Sequence, residues 1–157
     1  CTNSLACNYN SDATEDDGTC CLPSDNVIEI TSIESTVYGE VGFDIEAHAY
    51  IKNASCNQVG IMVKKLTSFD PMDPSQASAY FCLGGDCLDA NQSTSNNPLF
   101  LDSCQEADSD IDGDGNVDYF KGYFKAYQPG EYVVEYRFFL ENDSNINTEI
   151  SMTYIVS

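Results

Sequence analysis

The sequence predicts an all-β fold, an antiparallel sandwich or barrel, on three observations. Seven short β-rich runs recur at fairly regular spacing, no segment of ten or more residues shows a clear 3.6-residue apolar period, and the connections are rich in Asn, Asp, Gly and Pro. One main domain with a small appendage suits 157 residues, since a chain this long buries roughly 68–70% of its unfolded surface.

In chain order the runs are VIEITSI (27–33), GFDIEAHAYIK (42–52), QVGIMVKKL (58–66), SAYFCL (78–83), YFKGYFKAY (119–127), EYVVEYRFFL (131–140) and EISMTYIV (149–156). In the second, Phe43, Ile45, Ala47, Ala49 and Ile51 share one face while Asp44, Glu46, His48, Tyr50 and Lys52 share the other, the pattern of a half-buried strand. Pro129-Gly130 marks a turn, and the polar ENDSNINT between the last two runs reads as a longer hairpin loop. The irregular stretch 84–105 contains a short edge strand near Pro98 to Leu101. Residues 1–24 differ in kind: four cysteines, few aliphatics and many turn-forming Asn, Asp, Ser and Thr predict a stapled module, with the β domain over 25–157.

Composition narrows the function. Eight cysteines beside six Lys plus Arg and no Trp point to an oxidising, extracellular or cell-surface location. A net charge of -20 with 26 acids argues against nucleic acid or an anionic membrane as partner and leaves cations, neutral glycans and other proteins. Ten Tyr and eight Phe argue for a packed core in spite of the acidity. No apolar run approaches the ~18 residues of a membrane span, and no basic region followed by an apolar one opens the chain. A leader removed, or an excised portion of a longer protein, is the expectation.

Residues 1–20, CTNSLACNYNSDATEDDGTC, resemble a short cysteine motif of secreted and surface-attached proteins of the Bacteroidota, many exported by the type IX system. Cys1, Cys7, Asn8, Tyr9, Asn10, Ala13, Asp16, Asp17, Gly18 and Cys20 match it. YFCLGGDC followed by YFKAYQPGEYVVEYRFFLENDSN is similar to immunoglobulin-like domains of the same kind of protein, with Leu83 where a Trp is customary. The resemblance implies an immunoglobulin-like antiparallel β-sandwich with a disulfide-stapled N-terminal module, and a structural role at the cell surface.

Cys82 and Cys87 flank LGGD, whose glycines permit the tight reversal a local disulfide requires. Cys1, Cys7, Cys20 and Cys21 can pair among themselves, leaving Cys56 with Cys104, and the adjacent Cys20 and Cys21 are expected to take different partners. An acylated Cys1 would strand one thiol of an odd seven, so a disulfide is favoured there, in line with the place the motif gives it.

ADSDIDGDGNVDYF (107–120) sets Asp110, Asp112 and Asp114 at positions 1, 3 and 5 of a calcium loop, Gly115 at 6, Asn116 at 7 and Asp118 at 9. Alternate carboxylates converge on one cation, glycine permits the turn, and Glu106, Asp108, a carbonyl or water can complete the shell. Position 12 is Lys121 and a strand follows, so the loop is not an EF-hand. The bland reading is a solvated acidic loop. Asn10, Asp12, Asp16 and Asp17 form a weaker second candidate, with a polar turn cluster as its equal alternative.

Nothing in the sequence assembles catalysis. The single histidine, His48, has no serine or cysteine nucleophile motif near it, zinc-ligand spacing is absent, and no local pair of carboxylates stands out. Tyr119, Lys121, Tyr123, Lys125 and Tyr127 alternate along one strand face that can bind a glycan or an acidic neighbouring subunit, or can be an ordinary solvent face. Sequons at Asn53, Asn91 and Asn142 are read as surface markers. The expected function is a non-enzymatic structural or adhesive subunit, with copies of itself, other surface proteins or glycans as partners and calcium as cofactor. The alternative is a calcium-dependent carbohydrate-binding module.

Overall fold

The computed structural model describes residues 1–70, 73 and 77–157. Eleven strands and no helix occur among them: β1 (Ile28–Ile33), β2 (Thr36–Gly39), β3 (Ile45–Asn53), β4 (Val59–Lys65), β5 (Ala77–Leu83), β6 (Asp86–Cys87), β7 (Leu99–Leu101), β8 (Glu106–Ala107), β9 (Phe120–Ala126), β10 (Gly130–Leu140) and β11 (Asp143–Val156). One sheet runs β1-β3-β9-β5-β6, with β8 also on β3, and the other runs β2-β11-β10-β4-β7. The segments β1-β3-β9-β5 and β4-β10-β11 reproduce the ABED and CFG sheets of an immunoglobulin-like sandwich. The first edge strand is split between the sheets: β1 pairs antiparallel with β3, and β2 pairs parallel with β11.

Period-2 alternation puts one row of each strand into the core. In β9 Phe120, Gly122, Phe124 and Ala126 point in, and in β10 Val134, Tyr136, Phe138 and Leu140 do. Where antibody domains bridge the equivalents of β3 and β10 with a disulfide, aromatic rings fill this interior. Phe120 meets Tyr136 and Phe138 edge-on at 4.8 and 5.1 Å between centroids, and Phe124 stacks on Tyr154 at 4.8 Å. Gly122 makes room for them, since a β-carbon there would lie 2.8 Å from the Tyr154 hydroxyl. At the entry to β10 the Tyr132 hydroxyl donates to the Gln128 carbonyl at 3.0 Å, the tie of a tyrosine corner. The buried Lys65 ammonium donates to the carbonyls of Ala79 and Ala90, joining the two sheets, and burial lowers its pKa.

Four disulfides use all eight cysteines. Cys82–Cys87 closes the β5–β6 hairpin and Cys1–Cys20 closes the N-terminal segment. The other two correct the expected pairing: Cys7 joins Cys56 and Cys21 joins Cys104, so no Cys56–Cys104 bridge exists. Residues 1–24 bury few apolar side chains, Ala6 and Cys21 among them, so they gain their place from bridges to the sandwich rather than from a core of their own.

Asn53 organises the loops that receive those bridges. Its amide nitrogen donates to the carbonyls of Asn57, Leu101 and Asp102, and its oxygen accepts from the Ser55 backbone and hydroxyl. It is fully buried, which removes it as a surface glycan acceptor. Two further expectations differ. Phe43 precedes its strand and is exposed, because the loop 40–43 turns over the end of the sheet. The polar ENDSNINT is no long loop: β11 starts at Asp143, its exposed row bearing the Asn and Asp residues.

Candidate metal loop and binding surfaces

The loop 108–118 connects β8 to β9 at the same end of the sandwich as the stapled module. Gly113 and Gly115 adopt φ of 77° and 92°, a left-handed conformation that glycine takes without a β-carbon clash. Around them Asp110 accepts from the backbone N–H of Gly113 and Gly115 at 2.7 and 2.9 Å, and Asp112 accepts from that of Asp114 at 3.0 Å. Asp118 sits below, 2% exposed, accepting from the Ile111 N–H at 2.8 Å. Carboxylate oxygens of Asp110, Asp112 and Asp118 lie within 4.8 Å of one another.

Thus the structure gathers three of the four candidate aspartates of this loop. Asp114 stands outside that group and accepts from the Asn116 N–H at 2.7 Å, which lowers its pKa. Asp118 goes the other way: burial raises its pKa, and the charges of Asp112, Asp114 and Asp110 add to the rise. A desolvated carboxylate beside three others is a donor set suited to a hard cation, whose charge offsets both penalties. Lys121 belongs to β9 and offers nothing to the loop, in keeping with the strand that follows it.

A cavity of about 370 Å³ opens beside this group, lined by Asp112, Asp118, Asp86 and Asn97 on its polar side and Leu99 and Phe100 on its apolar side. The β5–β6 hairpin forms another wall through Gly84 and Gly85. Sequence spacing does not reveal it, because its walls come from three separate segments.

The weaker candidate dissolves into separate local turns. Asn10 accepts from Asp12 N–H at 2.9 Å, Asp16 from Gly18 N–H at 2.9 Å, and Asp17 from the Thr19 N–H and hydroxyl at 3.0 and 2.6 Å. Those bonds from Thr19 lower the Asp17 pKa. These oxygens already serve backbone donors, as in a polar turn cluster.

The Tyr–Lys row of β9 does face outward, and neighbouring strands widen it. Tyr123 stacks on Tyr80 of β5 at 4.7 Å, and Tyr119 meets Tyr50 of β3 at 5.2 Å. Lys121 and Lys125 lie over the rings of Tyr119 and Tyr127 at 5.6 and 5.7 Å. Burial, with Glu46 nearby, pushes Tyr123 up to about 12. His48 joins the edge of this face, its Nδ1 3.0 Å from Glu34 and its Nε2 2.5 Å from Glu46. Tyr50 and Tyr80 escaped the sequence reading because pairing, not spacing, brings three strands together.

No family model and no curated protein matches the chain. Among solved structures it is similar to the N-terminal domain of PorA at 12% identity, covering 83% of this chain and 96% of that one, TM-score 0.49. It is also similar to the ASH/PapD-like domain 7 of human CEP192, at 14% identity, 95% and 96% coverage and TM-score 0.46. A conjugative transposon lipoprotein from Bacteroides eggerthii gives 12% identity, 81% and 93% coverage and TM-score 0.42. The immunoglobulin-like assignment rests on the strand order itself.

Proposed function

We propose that the chain is a non-enzymatic structural and adhesive subunit of an extracellular or cell-surface assembly, joined end to end and stiffened by calcium in the loop 108–118. The observation that carries this is the pair of bridges Cys7–Cys56 and Cys21–Cys104, which hold a module with little core to one end of the sandwich. Crosslinks of that kind suit an oxidising exterior and favour a rigid unit over a mobile one. The resemblance of residues 1–20 to the Bacteroidota surface motif supports the same setting, and Asp110, Asp112 and Asp118 supply the acidic oxygens a calcium ion takes. Negative-stain electron microscopy of the purified protein, with calcium and with chelator, tests it: filaments or layers are expected with calcium, and dispersed particles in both conditions would sink the idea.

A second reading, a calcium-dependent carbohydrate-binding module, draws on the cavity beside the loop. Glycan-array binding that disappears on chelation would favour it over the first.

A further inference from the structure

On the outer face of the second sheet, β11 slips out of register with β10. Phe139 pairs with Asn147 and Leu140 with Asp143, so Ser144, Asn145 and Ile146 have no partner across and form a bulge. The Asn147 amide donates to the carbonyls of Ser144 and Asn145 at 3.2 Å each, and the Asn145 N–H donates to the Asp143 carboxylate at 3.1 Å. The bulge stands beside Arg137 and Phe139, which point outward between the buried Tyr136, Phe138 and Leu140. With Lys64 of β4 these residues line an open cavity of about 430 Å³, whose remaining walls are Ser144, Asn145 and Asn147.

We propose that this cavity binds a carboxylate-bearing sugar unit of a glycan, a uronic or sialic acid, independently of calcium. Its lining carries two cations and no carboxylate, in a chain of net charge -20 with six Lys plus Arg in all. Arg137 and Lys64 stand directly opposite each other in register, where like charges repel and an anion seated against both relieves the repulsion. Glu149 meets only part of that charge: its Oε1 accepts from Arg137 Nε and Nη2 at 2.7 and 2.5 Å, which holds the guanidinium by one edge and leaves Nη1 for a ligand. Lys64 makes no ion pair among the described residues.

The other acids nearby stay out of the lining. Asp143 accepts from the Asn145 N–H, the Glu141 carboxylate lies over Gly60, and Glu135 sits one row along β10, opposite Ser151. At the cavity itself Lys64 and Arg137 against Glu149 leave one positive charge, which one carboxylate matches. The rest of the lining suits a sugar ring rather than a bare acid. Phe139 supplies an aromatic ring for sugar C–H groups, while the Ser144 hydroxyl and the Asn145 amide can bond ring hydroxyls. The volume falls within the roughly 300–1,000 Å³ of small-ligand sites. The cavity shares no residue with the one beside the loop 108–118, so this inference stands apart from both readings above.

Nitrogen–proton correlation NMR of the full chain, with a calcium chelator present throughout, tests the proposal. Methyl glucuronide or the methyl glycoside of N-acetylneuraminic acid should shift the amides of Arg137, Phe139 and Asn145 saturably, with a dissociation constant on the order of 1 mM. Methyl glucoside, which has the ring without the charge, and acetate, which has the charge without the ring, should each bind about ten-fold more weakly. Lys64→Gln with Arg137→Gln should weaken the acidic sugar about ten-fold or more, and Glu149→Gln should tighten it about two-fold. These three side chains are open to solvent, so unfolding temperatures should hold. Lys121→Gln with Lys125→Gln removes the same charge from β9 and should leave binding as it was. Binding that survives the Lys64 and Arg137 changes, or is lost with those on β9 instead, overturns the site, as does the lack of any saturable shift with either acidic sugar. Methyl glucoside binding as well as the acidic sugar overturns the role of charge, and a short aspartate peptide binding as well makes the cavity a site for acidic peptides and overturns the sugar.

Discussion

Gly122 and Tyr136 show how single residues set the interior. A β-carbon at Gly122 would lie 2.8 Å from the Tyr154 hydroxyl, 3.1 Å from the Met152 sulfur and 3.2 Å from the Tyr136 hydroxyl. Gly122→Ala therefore overpacks a close-fitted core and should cost about 1–3 kcal/mol, which is about 2–4 °C in melting temperature per kcal/mol for a domain of this size. The Tyr136 hydroxyl is buried beside that of Tyr154, and burial first, then the neighbouring Tyr154, raises its pKa well above the usual tyrosine value. Tyr136→Phe keeps the ring contacts and removes a polar group whose burial offsets what its contact with Tyr154 contributes, so it should change stability by less than about 1 kcal/mol. Thermal unfolding of the two variants checks the order; a Phe variant less stable than the Ala variant would refute this account of the core. In the sequence Gly122 lies opposite the Tyr–Lys row of its strand, but its reason, two tyrosine hydroxyls arriving from the other sheet, lies about 14 and 32 residues downstream and follows only from packing.

The loop 108–118 is the element on which the calcium proposal rests. Without a cation, burial disfavours the charged Asp118, and its folded pKa is raised; the stability this group contributes is therefore present at acid pH and lost as pH rises through the folded value. Calcium bound as proposed would offset that cost. At a hundred times its dissociation constant it should add about 2.7 kcal/mol, or several degrees of melting temperature. Asp118→Asn should raise the calcium-free melting temperature and abolish most of the calcium-induced shift, measured by differential scanning calorimetry. A wild-type chain with no calcium shift would mark the loop as a solvated acidic turn. The D-x-D-x-D-G spacing made the loop legible in the sequence. Which oxygens converge was not, because Asp118 enters the group through burial beneath the turn while Asp114 turns to the Asn116 N–H. The strands show the same division: the long runs stood out by alternation, whereas β2, β6 and β8 are two to four residues long and exist only through their partners.

Across the whole molecule the disulfides decide how the module sits. By loop-closure entropy a bridge spanning the 83-residue separation of Cys21 and Cys104 restricts the unfolded chain by about 4.5 kcal/mol, against about 2 kcal/mol for the 5-residue separation of Cys82 and Cys87. Replacing Cys21 and Cys104 by serine should accordingly lower the midpoint of urea unfolding more than replacing Cys82 and Cys87. Equal losses would mean that the long bridge adds no more than the local one.

The sequence by itself determined the all-β class, the seven main strands, the hairpin bridge and the acidic loop, because each is written in local alternation, composition or spacing. Only the tertiary structure decided the partners of Cys7, Cys21, Cys56 and Cys104, the placing of Asp118 beside Asp110 and Asp112, and the burial of Asn53. Those depend on which strands lie side by side and on which loops share an end, relations between residues up to 83 positions apart that no local pattern encodes.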